Sequence, residues 1–171
     1  MTQQRKPIVV AVSGGFDPIH PGHIRHFKEA KALGDKLVVI LNNDNWLKKK
    51  KKFSFMSTQE RKEVIEALRW VDQVIVTRHA KDLEGPEDMS VSEALKRLKP
   101  DILAKGGDRN DADAKNPHSS LYWDLKTCKE LGIKIVYNVG HGGKIQSSSD
   151  LVDQAMKKAP RKVDVKIKRT R

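Results

Sequence analysis

Residues 8–27 read IVVAVSGGFDPIHPGHIRHF. The first five are apolar and mostly β-branched without alternation, the pattern of a strand covered on both faces, as strands are in parallel sheets. Two glycines and two prolines then break the run, and from Gly22 the spacing predicts a helix over 22–33, ending before Gly34. Strand, glycine-rich turn and helix form half of a βαβ unit, and the alternation recurs along the chain. Apolar runs at 37–41, 73–77, 101–104 and 133–137 predict four more strands, with helices over 58–70, 91–98 and 119–131. Ser57 with Glu60, and Ser90 with Glu93, have the spacing of capping boxes at two helix starts.

The fold these elements predict is α/β: a doubly wound, Rossmann-like, five-stranded parallel sheet with helices on both faces. Ligands of such sheets lie outside the carboxyl ends of the strands. The polar, glycine-rich stretches fall there: SGGFDPIHPGH after the first strand, NNDNWLKKKKK after the second, KGGDRND after the fourth and NVGHGGKIQSSSD after the fifth. They are expected to converge as loops on one edge.

A chain of 171 residues sustains one domain, burying roughly 70% of its unfolded surface. The expected division is a domain over 1–159 and a basic tail over 160–171. No run of about 18 apolar residues exists and MTQQRKP lacks a signal peptide's apolar stretch, so a cytoplasmic protein is expected. The one cysteine, Cys128, reads as a structural thiol. The net charge of +12 is local: Lys48 to Lys52 supply five positive charges, and residues 157–171 supply eight against one aspartate. The rest of the chain balances at 21 basic and 21 acidic residues. A nucleic-acid-binding role is therefore confined to the lysine cluster and the tail, and it would account for the charge alone.

A helix beginning near Gly22 points free N–H groups and the positive end of its dipole at the preceding loop, which suits phosphate. Gly14 and Gly15 allow close backbone approach, and His20 and His23, three apart, can face one anion together. A bound phosphate would favour their protonated forms. The competing reading of His20, His23 and His26 as a zinc site has no HExxH pattern or cysteine pair to complete it. The GHGGK stretch at 140–144 is no P-loop, because Ile145 stands where Ser or Thr belongs. Trp46, in the ligand-side segment, is a candidate for stacking on a base; Trp70 reads as core.

GGFDPIHPGH resembles the HxGH signature of the nucleotidyltransferase superfamily. LGDKLVVILNNDNWLKKKKK, TQERKEVIEALRWVDQVI and LKPDILAKGGD resemble its cytidylyltransferase-like family, including glycerol-3-phosphate cytidylyltransferases and, at KGGD, heptose-1-phosphate adenylyltransferases; IQSSSDL resembles the ISTT motif of these enzymes. The resemblance implies catalytic roles for His20, His23, Lys48 and Arg61. It implies nucleotide binding by Ser13, Gly14, Gly15, Phe16, His20, Gly22, His23, Lys105, Gly106, Gly107, Asp108, Ser147, Ser148 and Ser149. It implies contact with substrate phosphate by Lys48, Lys50 and Lys144. The implied reaction joins a nucleoside monophosphate from ATP or CTP to a small phosphorylated acceptor, with a heptose-1-phosphate-like sugar favoured over glycerol-3-phosphate or a phosphoamine, and releases pyrophosphate. Mg²⁺ held mainly by the triphosphate, no protein-ligated metal and a homodimer are the accompanying expectations.

Overall fold

The computed structural model of the protein describes residues 5–106, 114–140 and 147–158. Five strands, β1 (Val9–Gly14), β2 (Lys36–Leu41), β3 (Gln73–Val76), β4 (Ile102–Ala104) and β5 (Lys134–Val136), form one sheet in the order β3-β2-β1-β4-β5. Every pairing is parallel, with Val9 to Gly14 of β1 against Lys36 to Leu41 of β2 and Ala11 against Leu103 of β4. The expected architecture is present.

Its two faces follow from strand periodicity, since successive side chains point to opposite sides. Val10, Val12, Leu37, Val39 and Leu41 meet Phe27 and Ala30 of α1 (Pro21–Lys31) and Ile65 of α3 (Thr58–Glu66). Ala11, Ile40 and Leu103 meet Ala94 and Leu95 of α4 (Ser92–Leu98) and Cys128 of α5 (Ser120–Leu131). An uninterrupted apolar run is thus what a strand between two helical layers needs. Cys128 is fully buried and burial pushes its thiol up to about 12, in keeping with a structural residue.

Three local expectations differ from the structure. Residues 44–51, expected as loop, form α2 (Asp44–Lys51), started by Asn43, whose Oδ1 accepts from Trp46 N at 3.1 Å. Trp46 and Leu47 bury its short apolar face, and its lysines lie at the C-terminal end, where the helix dipole favours cations. The Ser57–Glu60 capping box forms, but Ser90–Glu93 does not: α4 starts at Val91 without a side-chain cap, and Ser90 Oγ bonds Ser92 instead. Helix α3 ends at Glu66 and not at residue 70, and Trp70 is half-buried under the Arg69 guanidinium, 4.5 Å from its ring centroid, rather than core.

The chain leaves β1 towards β2 on one side and returns to β4 on the other. The crevice between the carboxyl ends of β1 and β4 is therefore the topological switch point, where such sheets bind ligands. Helix α6 (Ser148–Lys158) begins beside it, with Ser148 Oγ donating to Pro18 O at 2.9 Å. Among the described residues no helix is long and apolar enough to cross a membrane.

Candidate active site

The start of α1 is capped by its own histidines. Nδ1 of His20 accepts from Gly22 N at 3.1 Å, and Nδ1 of His23 accepts from His20 N at 3.3 Å. The rings stack with centroids 3.7 Å apart. An accepting Nδ1 places the proton of a neutral imidazole on Nε2, so both rings keep an Nε2–H for a ligand. Protonating either Nδ1 would set two N–H donors against each other. Burial and the neighbouring His20, His26 and Lys51 push His23 down to about 3; burial and Lys51 also lower His20. In the free protein burial thus favours the neutral pair, which offers two hydrogen-bond donors.

The loop before these histidines is fixed from the other side. Asp17 is 2% exposed, its two carboxylate oxygens accept from Phe55 N and Met56 N at 2.7 and 2.8 Å, and its carbonyl accepts from Lys51 Nζ at 3.0 Å. This clamp brings the last lysine of α2 to the histidine pair. Lys51 is half-buried, and burial lowers its pKa first of all. The preferred lysines lie elsewhere: Lys48 is exposed, and Lys50 sits over the Trp46 ring at 4.9 Å from its centroid. Trp46 itself is mostly buried, with Nε1 donating to Met89 O at 2.8 Å.

Arg61, expected at a phosphate, is turned into the protein. Its side chain is fully buried and all five N–H donors are spent within the protein: Nε on Met56 O, Nη1 on Gly15 O and Asn42 O, Nη2 on Asp44 Oδ1 and Thr58 Oγ1, at 2.6 to 3.2 Å. It joins the ends of β1 and β2 to α2 and α3. Gly15 fits this crowding because a Cβ there would stand 2.7 Å from Leu47 Cδ2.

Beyond β1, Lys105 is buried with Nζ 2.8 Å from Asp124 Oδ2 and 3.1 Å from Ser13 Oγ. Ser13, Gly14, Asn42, Trp46, Lys105, Gly106 and Asp124 help line a cavity of about 130 Å³. Phe16 is buried with its ring over Gly14 and edge-on to His23, centroids 5.0 Å apart, so it is a wall rather than an exposed contact. Gly106 lies against His26: a Cβ there would stand 3.0 Å from Nδ1, which is itself 2.8 Å from Val139 O. Ser147 Oγ accepts from Asp150 N at 3.4 Å, a first-turn cap, and Ser149 is exposed in the first turn of α6.

The structure thus gathers Ser13, Gly14, Gly22, the two histidines, Gly106 and the start of α6 around the switch point. Gly107, Asp108, Lys144 and the tail from 160 lie outside the described residues. Sequence reasoning missed Asp17, Lys51, Asp124 and Asn42. Asp17 carried a signal, an acidic residue inside an otherwise cationic motif; Asp124, in mid-helix, carried none. Among the described residues no three His, Cys, Asp or Glu side chains gather as a metal site.

A family model described as cytidylyltransferase-like matches residues 11–131. Among curated relatives, the FAD synthase of Pyrococcus horikoshii is 40% identical over 111 residues, 64% of this chain and 69% of its own. That of Pyrococcus abyssi is 36% identical over 133 residues, 75% and 76% of the two chains. Among solved structures, a lipopolysaccharide core biosynthesis protein from Thermoplasma volcanium matches with a TM-score of 0.61 at 28% identity, over 80% of this chain and 100% of the other. Thermotoga maritima TmcAL bound with alpha-thio ATP matches at 0.62 and 13% identity, over 88% of this chain and 51% of the other, a likeness of fold.

Proposed function

The chain belongs to the cytidylyltransferase-like family and is a nucleotidyltransferase; we propose that it transfers AMP from ATP to the phosphate of FMN, forming FAD and pyrophosphate. The observation that carries the choice of acceptor is the name FAD synthase on relatives 36 to 40% identical to this chain. It supports FMN over the heptose-like sugar phosphate favoured by KGGD, and ATP over CTP.

In the proposed reaction an oxygen of the FMN phosphate attacks the α-phosphorus of ATP. The new P–O bond forms as the bond to the β-phosphate bridging oxygen breaks, and pyrophosphate leaves with the electron pair. A phosphomonoester whose second pKa is about 6 is mostly dianionic at neutral pH, so no general base is needed. The work of the site is orientation and charge neutralisation. The Nε2–H groups of His20 and His23 donate to the transferring phosphate, where extra negative charge develops. The Lys51 ammonium adds a positive charge beside them, and the N–H groups at the start of α6 hold the departing pyrophosphate. Gly106, beside His26, gives the nucleoside close backbone contact. Mg²⁺ enters as part of the substrate, bound to triphosphate oxygens, where it offsets their charge.

The Thermoplasma volcanium neighbour favours a second reading, with a sugar phosphate as acceptor. A matrix of ATP and CTP against FMN, heptose-1-phosphate and glycerol-3-phosphate, read by pyrophosphate release, separates the two. ATP with FMN is expected to give the signal. Release with CTP alone, or with a sugar phosphate and not FMN, would overturn the flavin reading.

A further inference from the structure

Oδ1 of Asn42 is the buried side-chain polar atom left without a hydrogen-bond partner among the described residues. The residue is 3% exposed and its backbone is pinned, N donating to Gly14 O at 2.9 Å and O accepting from Arg61 Nη1 at 2.7 Å. Asn42 is one of the residues lining the cavity at the end of β1, with Ser13, Lys105 and Asp124. A buried carbonyl without a donor is costly, so folds keep one mainly where something else supplies the hydrogen.

The cavity's surroundings say what that is. Lys105 gives its wall a cation, though one shared with Asp124. Met89 and Ser120 belong both to this cavity and to a wider one of about 450 Å³, lined also by Lys49, Lys50 and Pro86. The two form a narrow inner end and a broad mouth. An acceptor with a phosphate, a hydroxylated chain and a flat ring fits that sequence of widths, with its chain passing Asn42. The nucleoside takes the cavity's β4 side, at Gly106 and His26, across β1 from Asn42 at the end of β2. We propose that Asn42 is a specificity-determining residue whose Oδ1 accepts a hydrogen bond from a hydroxyl of the acceptor's polyol chain. This rests on the flavin reading of the site, in which that chain is the ribityl chain of FMN.

The test is Asn42→Ala in the full chain, with steady-state kinetics, thermal unfolding without ligand, and FMN analogues each lacking one ribityl hydroxyl. The KM for FMN is expected to rise about tenfold, the order expected from one lost hydrogen bond to a buried group, with the KM for ATP within about twofold. The melting temperature is expected to hold or rise, since an unsatisfied buried group has been removed. With one of the deoxy analogues, variant and wild type should become nearly equal, as a double-mutant cycle requires of interacting groups. An unchanged KM for FMN, as when water alone fills the cavity, would overturn the proposal. So would a melting temperature that falls while both KM values rise together, the mark of a merely structural residue, or an equal penalty with every analogue. Wild-type protein that turns over a sugar phosphate and not FMN would overturn the flavin reading alone; Asn42→Ala must then raise the KM of that hydroxylated acceptor.

Discussion

Replacing Arg61 separates an architectural arginine from one that holds phosphate. Its guanidinium makes five hydrogen bonds, three of them to the main-chain carbonyls of Gly15, Asn42 and Met56. Lysine keeps the charge but has three donors and no planar fork, so Arg61→Lys leaves at least two acceptors unpaired. At about 1–3 kcal/mol for each buried group left unsatisfied, the loss is about 2–4 kcal/mol, at the lower end where Asp44, 32% exposed, recovers water. Arg61→Met removes all five bonds and leaves the three main-chain carbonyls unpaired, at a cost of about 3–5 kcal/mol. For a chain of this size each kcal/mol moves Tm by roughly 2–4 °C, so Arg61→Lys should lower it by roughly 5 °C or more. Urea unfolding and a thermal melt measure this, and KM values taken well below the variant's melt should stay within about threefold of wild type for both substrates. Normal stability with a KM for ATP or acceptor raised tenfold would refute the reasoning, because the guanidinium would then be reaching a ligand.

Lys51→Met removes the cation beside the histidines and is expected to lower kcat/KM by about 10²-fold, whereas Lys48→Met, on an exposed helix face, should change it less than about threefold; the reverse order would place the active lysine elsewhere on α2. His23→Ala is expected to lower turnover by about 10²-fold with the fold retained by circular dichroism, and near-normal turnover would remove the pair from the mechanism. Because the folded protein holds His23 at about 3 and lowers His20, it sheds protons that the unfolded chain keeps below about 6.5. The stability tied to this is fully present above pH 6.5 and is lost as pH falls towards 3, at up to about 1.4 kcal/mol per pH unit for His23 alone. Urea midpoints between pH 7.5 and 4.5 should show that slope and His23→Gln should flatten it; parallel slopes in the two proteins would contradict it.

The β-α alternation was legible because IVVAV and LVVIL are apolar throughout and the other three runs nearly so, which suits strands covered on both faces by helices. The histidine pair was legible as a constellation, since a helix start places residues three apart on one face. Its protonation was not, because that depends on Nδ1 atoms spent on backbone N–H groups, a detail of rotamer. Helix α2 was hidden by its lysines: only Trp46 and Leu47 mark its apolar face, too few for a period. Five identical lysines also conceal which one turns towards the site. Helical rotation and the Asp17 clamp on residues 51–56 decide that, and both are long-range facts. The inward bonding of Arg61 was hidden for a related reason: an arginine near a helix start looks available for an anion until the carbonyls at the ends of β1 and β2 are found around it.

The most direct measurement follows the phosphorus atom. Protein given ATP labelled at the α-phosphate, together with FMN and Mg²⁺, should place the label in FAD, one labelled FAD appearing for each pyrophosphate released and none remaining on the protein after quenching. Label that stays in ATP or appears as free AMP, with FMN unchanged, would contradict adenylyl transfer to a flavin phosphate at this site.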